Sequence, residues 1–212
     1  MRRETEASLG AQLAAGAREL QVELPDPAQR KLLDYLGELG KWNAAYNLTA
    51  VREPAAMVTR HLLDSLALLP FVSAGRALDV GSGAGLPGIP LAIARPALAV
   101  ALLDSNGKKA RFLRHAQRAL DLANVEVIEA RAEGLRPDAP FDAVLARAFG
   151  SLAEFLLATA HLGAPGAHWL AMKGKLDDKE LKDLPKGFVV KDVIPLKVPG
   201  LDEARHLIRV VR

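Results

Sequence analysis

One stretch decides the fold, Arg76-Ala77-Leu78-Asp79-Val80-Gly81-Ser82-Gly83-Ala84-Gly85-Leu86-Pro87-Gly88. It predicts a short apolar strand, then a glycine-rich turn, then a helix that opens near Leu86. Glycine lets a backbone turn tightly and approach a ligand closely, because no Cβ stands in the way. A helix N-terminus behind such a turn offers unpaired N–H groups. The stretch therefore predicts a ligand-binding strand–turn–helix unit.

Two classes of ligand fit the glycine spacing. Gly83, Gly85 and Gly88 match the G-x-G-x-x-G pattern of dinucleotide sites, and Asp104 follows where a ribose-binding acid would lie. Asp79 argues against a dinucleotide, since a carboxylate at the strand end would repel a pyrophosphate. The same carboxylate would attract the sulfonium and ammonium groups of S-adenosylmethionine (SAM). The pattern favours SAM, with an NAD-linked oxidoreductase as the alternative.

Composition limits the class of protein further. The chain has 212 residues, of which 50% are hydrophobic, enough for one sizeable α/β domain. It has no cysteine, which excludes disulfides, thiolate metal sites and a cysteine nucleophile, and we predict no metal. A net charge of +3 permits a nucleic-acid partner without requiring one. No apolar run approaches the roughly 20 residues of a membrane span, so we expect a cytoplasmic monomer with no membrane partner.

Strands and helices alternate from Arg76 onward, which predicts an α/β fold with a doubly wound, mostly parallel sheet. Seven strands match a Rossmann-like class I SAM-dependent methyltransferase better than a six-stranded dinucleotide domain. The predicted strands are 76–80, 98–103, 125–129, 141–146, 167–172, 187–196 and 206–211, the last of them antiparallel. The predicted helices of this part are 86–95, 107–121, 151–162 and 175–182.

Helical patterns precede the first strand. One helix is predicted over residues 4–22, and a second begins at Asp26-Pro27 and carries an apolar stripe. A loop is predicted over 42–50, and a third helix runs from Glu53-Pro54 to Leu69. We expect residues 1–70 to form an N-terminal helical extension packed on the core, and residues 71–212 to form the SAM-dependent methyltransferase domain. The stripe consists of Leu32, Leu33, Leu36, Leu39 and Trp42.

The carboxyl ends of the strands supply candidate site residues, because ligands of open parallel sheets bind there. Asp104 is placed to accept hydrogen bonds from two ribose hydroxyls, or alternatively to cap the next helix. Ala132 and Glu133 follow the third strand, where a small residue and a backbone N–H would face an adenine. Arg147 ends the fourth strand, where the methyl acceptor must lie, or is an ion-paired surface arginine. Lys173 gives a second cation at the same rim.

Two polar groups of residues allow either a structural or an RNA-binding role. His61 and Asp64 lie three residues apart on one helix face, which fits a structural pair as well as a site. The helix after Asp104 carries a stripe of cations with no acid among them, either a solvated face or a track for RNA phosphates. The rim cations favour RNA. The stripe consists of Lys108, Arg111, Arg114 and Arg118.

Two sequence features that the chain lacks limit which atom can accept the methyl group. Methylation of pyrimidine C5 typically needs a cysteine thiolate, and the chain has none. Many methyltransferases of exocyclic amines carry an Asn/Asp-Pro-Pro-aromatic run after the fourth strand, where this chain has Arg147-Ala148-Phe149. A ring nitrogen or an oxygen is therefore the favoured acceptor.

Taken together, these residues resemble the RsmG (GidB) family of bacterial small-subunit rRNA methyltransferases. The match covers nearly the whole chain and is far more specific than the glycine turn alone. The resemblance implies SAM-dependent methylation of guanine N7, at position 527 in the 530 loop of 16S rRNA. The stretches that carry it are 46–49, 60–65, 79–90, 102–105, 145–148, 173–174 and 203–206.

The resemblance also implies SAM contacts from Gly81, Leu86, Ala132, Glu133 and Arg147, and 16S rRNA or the 30S particle as partner. A non-catalytic RNA-binding assembly factor that kept the SAM fold stays as an alternative. We assign acceptor positioning to Arg147 and Lys173. The predicted SAM-binding residues are Asp79, Gly81, Gly83, Gly85, Leu86, Asp104, Ala132, Glu133 and Arg147. The predicted RNA-binding residues are Asn47, His61, Asp64, Lys108, Arg111 and Arg114.

Overall fold

A seven-stranded sheet forms the centre of the protein. The computed structural model describes residues 2–73 and 75–212, with side chains from residue 7 onward within these ranges. The strands are β1 (Arg76–Val80), β2 (Ala99–Leu103), β3 (Val125–Ile128), β4 (Phe141–Arg147), β5 (Gly163–Lys173), β6 (Val189–Pro195) and β7 (His206–Val211). Their order is β3-β2-β1-β4-β5-β7-β6. β1 to β5 are parallel, and β7 is antiparallel to β5 and β6, so the predicted mostly parallel sheet is confirmed.

Helices cover both faces of the sheet. Alternate strand residues point to opposite faces, so Ala77 joins one apolar layer and Leu78 the other. The α-helices of the described ranges are α1 (Arg2–Glu19), α2 (Asp26–Tyr46), α3 (Pro54–Met57), α4 (Asp64–Leu66), α5 (Gly88–Ala94), α6 (Gly107–Ala119), α7 (Leu152–Thr159) and α8 (Asp178–Lys182). Buried residues of α2, α5 and α6 pack in the first layer, and those of α7 pack in the second.

The N-terminal helices share the core of the sheet. Leu32, Tyr35 and Leu39 of α2 are fully buried in the same apolar layer as α5 and α6. Leu33 and Trp42, at the edges of the predicted stripe, are half-buried against this layer. The extension thus packs directly on the core, while the division of the chain at residue 70 stays a prediction.

The predicted loop over 42–50 is wrong in its first half, because α2 continues to Tyr46. The helix ends at Asn47, which adopts the left-handed conformation with φ of 49°. Asparagine tolerates this conformation better than most residues and commonly ends helices there. Residues 42–46 thus form the last turns of a 21-residue helix.

The predicted third helix is interrupted by a wider turn. Pro54 starts it, and the Glu53 carboxylate caps it by accepting the N–H groups of Ala55 and Ala56 at 3.0 and 2.6 Å. A π-helical segment, Val58–Leu63, separates α3 from α4. Such segments are rare and occur often at functional sites. This one carries His61 and leads directly into Asp64.

Smaller differences concern the ends of elements. Pro25 occupies the N-cap position of α2, and no side chain caps this end. Helix α5 begins at Gly88 instead of Leu86, and β5 begins at Gly163. Within residues 2–73 and 75–212, no helix combines the length and apolar character needed to cross a lipid bilayer.

Candidate active site

The carboxyl ends of β1 to β4 meet around a cleft of about 300 Å³. Open parallel sheets bind ligands at this edge, where the strand order reverses beside β1. Five of the predicted SAM-binding residues line the cleft, and a further lining residue, Phe149, follows β4. The five are Gly81, Asp104, Ala132, Glu133 and Arg147. Residues that follow four separate strands therefore line one cavity, as expected for an open parallel sheet.

The glycine turn is tied to the end of β2. The N–H groups of Gly81 and Ser82 donate to the Leu103 carbonyl at 2.8 and 3.0 Å. The N–H of Gly83 donates to Asp104 Oδ2 at 2.9 Å. Gly81 and Gly83 have φ values of +70° and +58°, which favour glycine because a Cβ clashes there. The turn therefore presents its exposed residue, Gly81, to the cleft.

Two other predicted binding residues shape the turn from behind. Gly85 has φ of +87°, and a Cβ at this position would overlap the side chain of Ile89. Leu86 is buried in the apolar layer below the turn. Both residues hold the backbone of the turn in place, and direct contact with the donor stays a prediction for them.

Asp79 lies beneath the turn and not at its mouth. Its side chain is fully buried, and its Oδ2 accepts the N–H of Gly88 at 2.9 Å. Its Oδ1 has no hydrogen-bond partner among the described residues. Burial raises the pKa of Asp79 to about 7, and the Gly88 N–H and the charge of Arg147 offset this only in part. Asp79 therefore acts on the cleft through its charge and through its hold on Gly88.

Gly88 is required because two side chains approach it closely. A Cβ there would overlap Leu102 Cδ2 and lie 2.8 Å from Asp79 Oδ2. We expect Gly88→Ala to lower the free energy of unfolding by about 1–3 kcal/mol, as overpacking does in a dense core. Chemical denaturation followed by circular dichroism measures this change.

A matched control is Gly37→Ala, because Gly37 is exposed on α2 and a Cβ there meets no described atom within 4 Å. We expect this variant to gain about 0.5–1 kcal/mol from the better helix propensity of alanine. Equal stabilities of the two variants would contradict the close packing around Gly88.

Asp104 connects the glycine turn with α6. Its Oδ2 accepts Gly83 N–H, and its Oδ1 accepts the N–H of Asn106 at 2.8 Å. Asn106, and not Asp104, caps α6, with its side chain accepting the N–H of Lys108 at 3.0 Å. Each carboxylate oxygen keeps a second lone pair. Asp104 is thus fixed at the cleft wall and still able to accept ribose hydroxyls.

Arg147 belongs to a buried ion cluster below the cleft. Its Nη1 lies 3.1 Å from Asp64 Oδ2, and Arg205 Nε donates to Asp64 Oδ1 at 3.1 Å. Asp64 is fully buried, and burial raises its pKa, although the two guanidinium groups oppose the rise. The cluster holds Arg147 while its side chain stays 22% exposed at the cleft. Arg205 lies 141 residues from Asp64, and the sequence offered only the resemblance at 203–206 as a signal for it.

His61 and Asp64 are revised from RNA contacts to buried structural residues. His61 is 3% exposed, and its Nε2 lies 2.9 Å from Thr49 Oγ1. Burial lowers the pKa of His61 to about 4, so the ring is neutral at physiological pH. Both side chains face inward from the π-helical turn and α4, where RNA has no access. Asn47, by contrast, is exposed at the end of α2.

Lys173 is held away from the cleft. Its Nζ donates to Glu180 Oε1 at 2.7 Å and to the Gly150 carbonyl at 2.9 Å. Glu180 comes from α8, a short helix whose position relative to β5 the sequence did not indicate. Lys173 thus forms a local ion pair, and its role in acceptor positioning stays a prediction.

The cations of α6 divide into two groups. Lys108 and Arg111 are exposed, and Arg111 Nη1 donates to the Tyr46 hydroxyl at 3.3 Å. Arg114 instead donates to Glu129 at 2.8 Å. Lys108 and Arg111 therefore keep their charge available for a partner, whereas the charge of Arg114 is largely compensated.

The cleft fits SAM and disfavours a dinucleotide. Asp79 and Asp104 place two carboxylates beneath and beside the turn, so a diphosphate would meet negative charge there. The charge of Asp79 beneath the turn suits a cationic ligand, and small, buried Ala132 at the cleft leaves room for a flat ring. A sheet with β7 between β5 and β6, together with this cleft, defines a class I SAM-dependent methyltransferase.

Solved structures share this fold. A SAM-dependent methyltransferase from Aquifex aeolicus superposes with a TM-score of 0.59 at 18% identity, over 82% of this chain and 98% of that one. The glycopeptide N-methyltransferase MtfA, complexed with SAM, gives a TM-score of 0.59 at 14% identity, over 71% and 94% of the two chains.

Sequence relatives narrow the class to a family. Residues 28–208 match GidB, "rRNA small subunit methyltransferase G". A relative of this name from Pseudomonas aeruginosa is 54% identical over 93% of this chain and 92% of its own length. Another from Laribacter hongkongensis is 49% identical over 96% and 98%. The chain belongs to the rRNA small subunit methyltransferase G family; the predicted SAM cofactor is confirmed, and the NAD-linked alternative is set aside.

Proposed function

We propose that this protein methylates N7 of guanine 527 in the 530 loop of 16S rRNA. The names of its relatives support small-subunit rRNA as the substrate. The observation that carries the proposal is the β4 side of the cleft, where a fixed guanidinium, Arg147, stands beside Phe149. Among the described lining residues, this side carries no carboxylate or imidazole. That arrangement suits an acceptor atom from which no proton must be removed.

Guanine N7 has a free in-plane lone pair, so its methylation needs no general base. SAM supplies an electrophilic methyl group on a positively charged sulfur. The protein must hold N7 in line with that group, and such positioning accounts for about 7–11 kcal/mol in well-oriented reactions. We assign this task to Arg147, whose N–H groups are able to donate to guanine O6 or to a phosphate.

The target base must leave its stack to enter the cleft, and an aromatic side chain can replace its neighbours. Phe149 lines the cleft and lies 5.7 Å from Phe155, ring centroid to ring centroid. Trp42 is enclosed by neighbouring rings, with Tyr46 at 5.0 Å and His115 at 4.8 Å. We therefore assign stacking of the guanine to Phe149.

We further propose that Lys108 and Arg111 bind RNA phosphates, with Asn47 beside them. The three residues are exposed, and Arg111 donates to Tyr46, the residue before Asn47 at the end of α2. Helix α6 starts at the cleft wall, next to Asp104. Phosphates bound by these cations would therefore lead the RNA toward the cleft.

The proposed function predicts transfer of labelled methyl groups from SAM to unmethylated 30S subunits or 16S rRNA. Borohydride–aniline cleavage, which reports N7-methylguanine, should map the mark to guanine 527. The double variant Lys108→Ala/Arg111→Ala should raise KM for RNA about tenfold and reduce the slope of log affinity against log salt by about 2.

The matched control is Lys186→Ala/Lys191→Ala, which removes two exposed cations near β6, at the opposite edge of the sheet. It should leave KM unchanged. RNA binding without label transfer would support the non-catalytic assembly factor instead. A mark at another atom would refute the N7 assignment while leaving the methyltransferase class intact.

We also propose a domain organisation, an oligomeric state and a substrate form. Residues 1–70 extend the methyltransferase domain 71–212 and do not form a separate unit, which the shared apolar layer supports. The protein acts as a monomer in the cytoplasm. The natural substrate is 16S rRNA within a 30S particle or as free RNA.

A further inference from the structure

A hydrogen bond connects the N-terminal extension with the glycine turn. The hydroxyl of Tyr35 on α2 donates to the Ala84 carbonyl at 2.7 Å. The two residues are 49 positions apart. Ala84 lies between Gly83 and Gly85, in the middle of the turn. The bond therefore joins the extension to the element that surrounds the methyl donor.

The environment of this bond is buried and keeps its donor neutral. Tyr35 is fully buried, and burial raises the pKa of its hydroxyl far above the ordinary value. The hydroxyl thus remains a neutral donor at every physiological pH. Within the described residues, the Ala84 carbonyl accepts no other hydrogen bond apart from this one. A buried carbonyl without a hydrogen-bond donor raises the free energy of the fold. Loss of the Tyr35 hydroxyl would therefore favour a different conformation of the turn.

The turn is held from two sides. On one side, the N–H groups of Gly81 and Ser82 donate to Leu103 at the end of β2. On the other side, Tyr35 fixes the carbonyl of Ala84. The carboxylate of Asp79 meets the same turn from a third direction, where it accepts the N–H of Gly88 at 2.9 Å. The extension is in this sense part of the donor-binding site.

We infer that Tyr35 is a positioning residue for SAM: it holds the glycine turn in the conformation that the donor requires. A turn fixed before binding loses less conformational freedom when the donor arrives, and affinity rises accordingly. Tyr35 does not touch the reacting atoms. Its removal should therefore act on donor affinity and leave the rate of methyl transfer at saturating SAM nearly unchanged.

The test is Tyr35→Phe, which deletes the hydroxyl and keeps the ring. Titration calorimetry with SAM and with S-adenosylhomocysteine (SAH), in the absence of RNA, should show both affinities about fivefold to tenfold weaker, the range expected for one buried hydrogen bond. KM for SAM should rise by a similar factor, and kcat should stay within about twofold. Since donor binding is measured without RNA, failure of the proposed rRNA substrate would not affect this test.

Two controls separate positioning from general effects. Tyr46→Phe removes a hydroxyl that contacts only Arg111 among the described residues and should leave donor affinity unchanged. Leu13 of α1 is fully buried in the apolar layer, so Leu13→Ala creates a cavity there and lowers stability without changing a residue of the turn. Equal weakening of SAM binding by Leu13→Ala, or an unchanged affinity in Tyr35→Phe, would overturn the inference.

Hydrogen exchange provides an independent readout should the substitution reduce stability. In Tyr35→Phe, amides of residues 81–86 should exchange faster, whereas those of β5 should keep their wild-type protection. A uniform increase over the whole chain would indicate global destabilisation and refute a local role for Tyr35.

Discussion

Arg147→Ala is expected to reduce methyl transfer by at least about 100-fold, the scale seen when a preorganised charged donor is removed from an active site. Arg147 combines two properties that no other described strand-end cation shares: it lines the cleft, and it is fixed from below by Asp64. A guanidinium held in this way can orient a planar acceptor through directed N–H groups. Alanine offers neither the charge nor the donors.

The same substitution should also lower stability. Removing one partner of a buried ion pair leaves the other charge poorly compensated. Asp64 keeps the hydrogen bond from Arg205, so we expect a loss of about 1–3 kcal/mol and a folded protein. Single-turnover rates with labelled SAM measure the activity, and urea denaturation measures the stability.

Arg205→Ala is the matched control. Arg205 also binds Asp64 but lies outside the cleft lining as the described residues place it. Arg205→Ala should lower the free energy of unfolding by a similar amount and keep most of the methyl-transfer activity. Arg147→Lys should fall between wild type and alanine, because lysine restores the charge without the planar fork. If Arg205→Ala abolished methyl transfer as completely as Arg147→Ala, the effect would act through Asp64 and not through contact with the acceptor.

Asp79→Asn is expected to weaken SAM binding about 30-fold, or about 2 kcal/mol. This is the energy of one attraction between the Asp79 carboxylate and a positive charge of SAM in a medium of intermediate dielectric constant. SAH lacks the sulfonium charge, so its affinity should fall much less. The amide oxygen of asparagine can still accept the Gly88 N–H, which preserves the turn. The comparison of SAM with SAH thus isolates charge from structure.

The raised pKa of Asp79 makes this prediction dependent on pH. The folded-state pKa of about 7 lies above the ordinary value, so the ligand-free fold holds a proton that the unfolded chain has lost. The contribution of Asp79 to the free energy of unfolding therefore falls as pH rises from about 4 to about 7. SAM favours the ionised carboxylate, so its binding should release a proton and strengthen as pH rises through 7.

Calorimetry of SAM binding in buffers with different ionisation enthalpies measures the proton release directly. Wild type should release a fraction of a proton near pH 6–7, and Asp79→Asn should release less. SAH should show a weaker pH dependence than SAM in the wild type. Equal losses of SAM and SAH affinity in Asp79→Asn would show that the carboxylate acts through the turn alone.

Local patterns in the chain were sufficient for the architecture. The alternation of apolar strands and amphipathic helices predicted all seven strands, because each element carries its own periodicity. The glycine turn, Asp104 and Arg147 follow from the rule that parallel strands present their carboxyl ends at one edge. Each of these features is encoded by residues that are close together in the chain, so it can be predicted from the sequence.

The tertiary structure decided what these side chains touch. It buried His61 and Asp64, which the sequence left open between a structural and an RNA-binding role, and it paired Lys173 with Glu180. It brought Arg205 to Asp64 across 141 residues and Tyr35 to Ala84 across 49. Burial and pairing set the charge and reach of each group, and both arise from packing between segments that no local pattern connects.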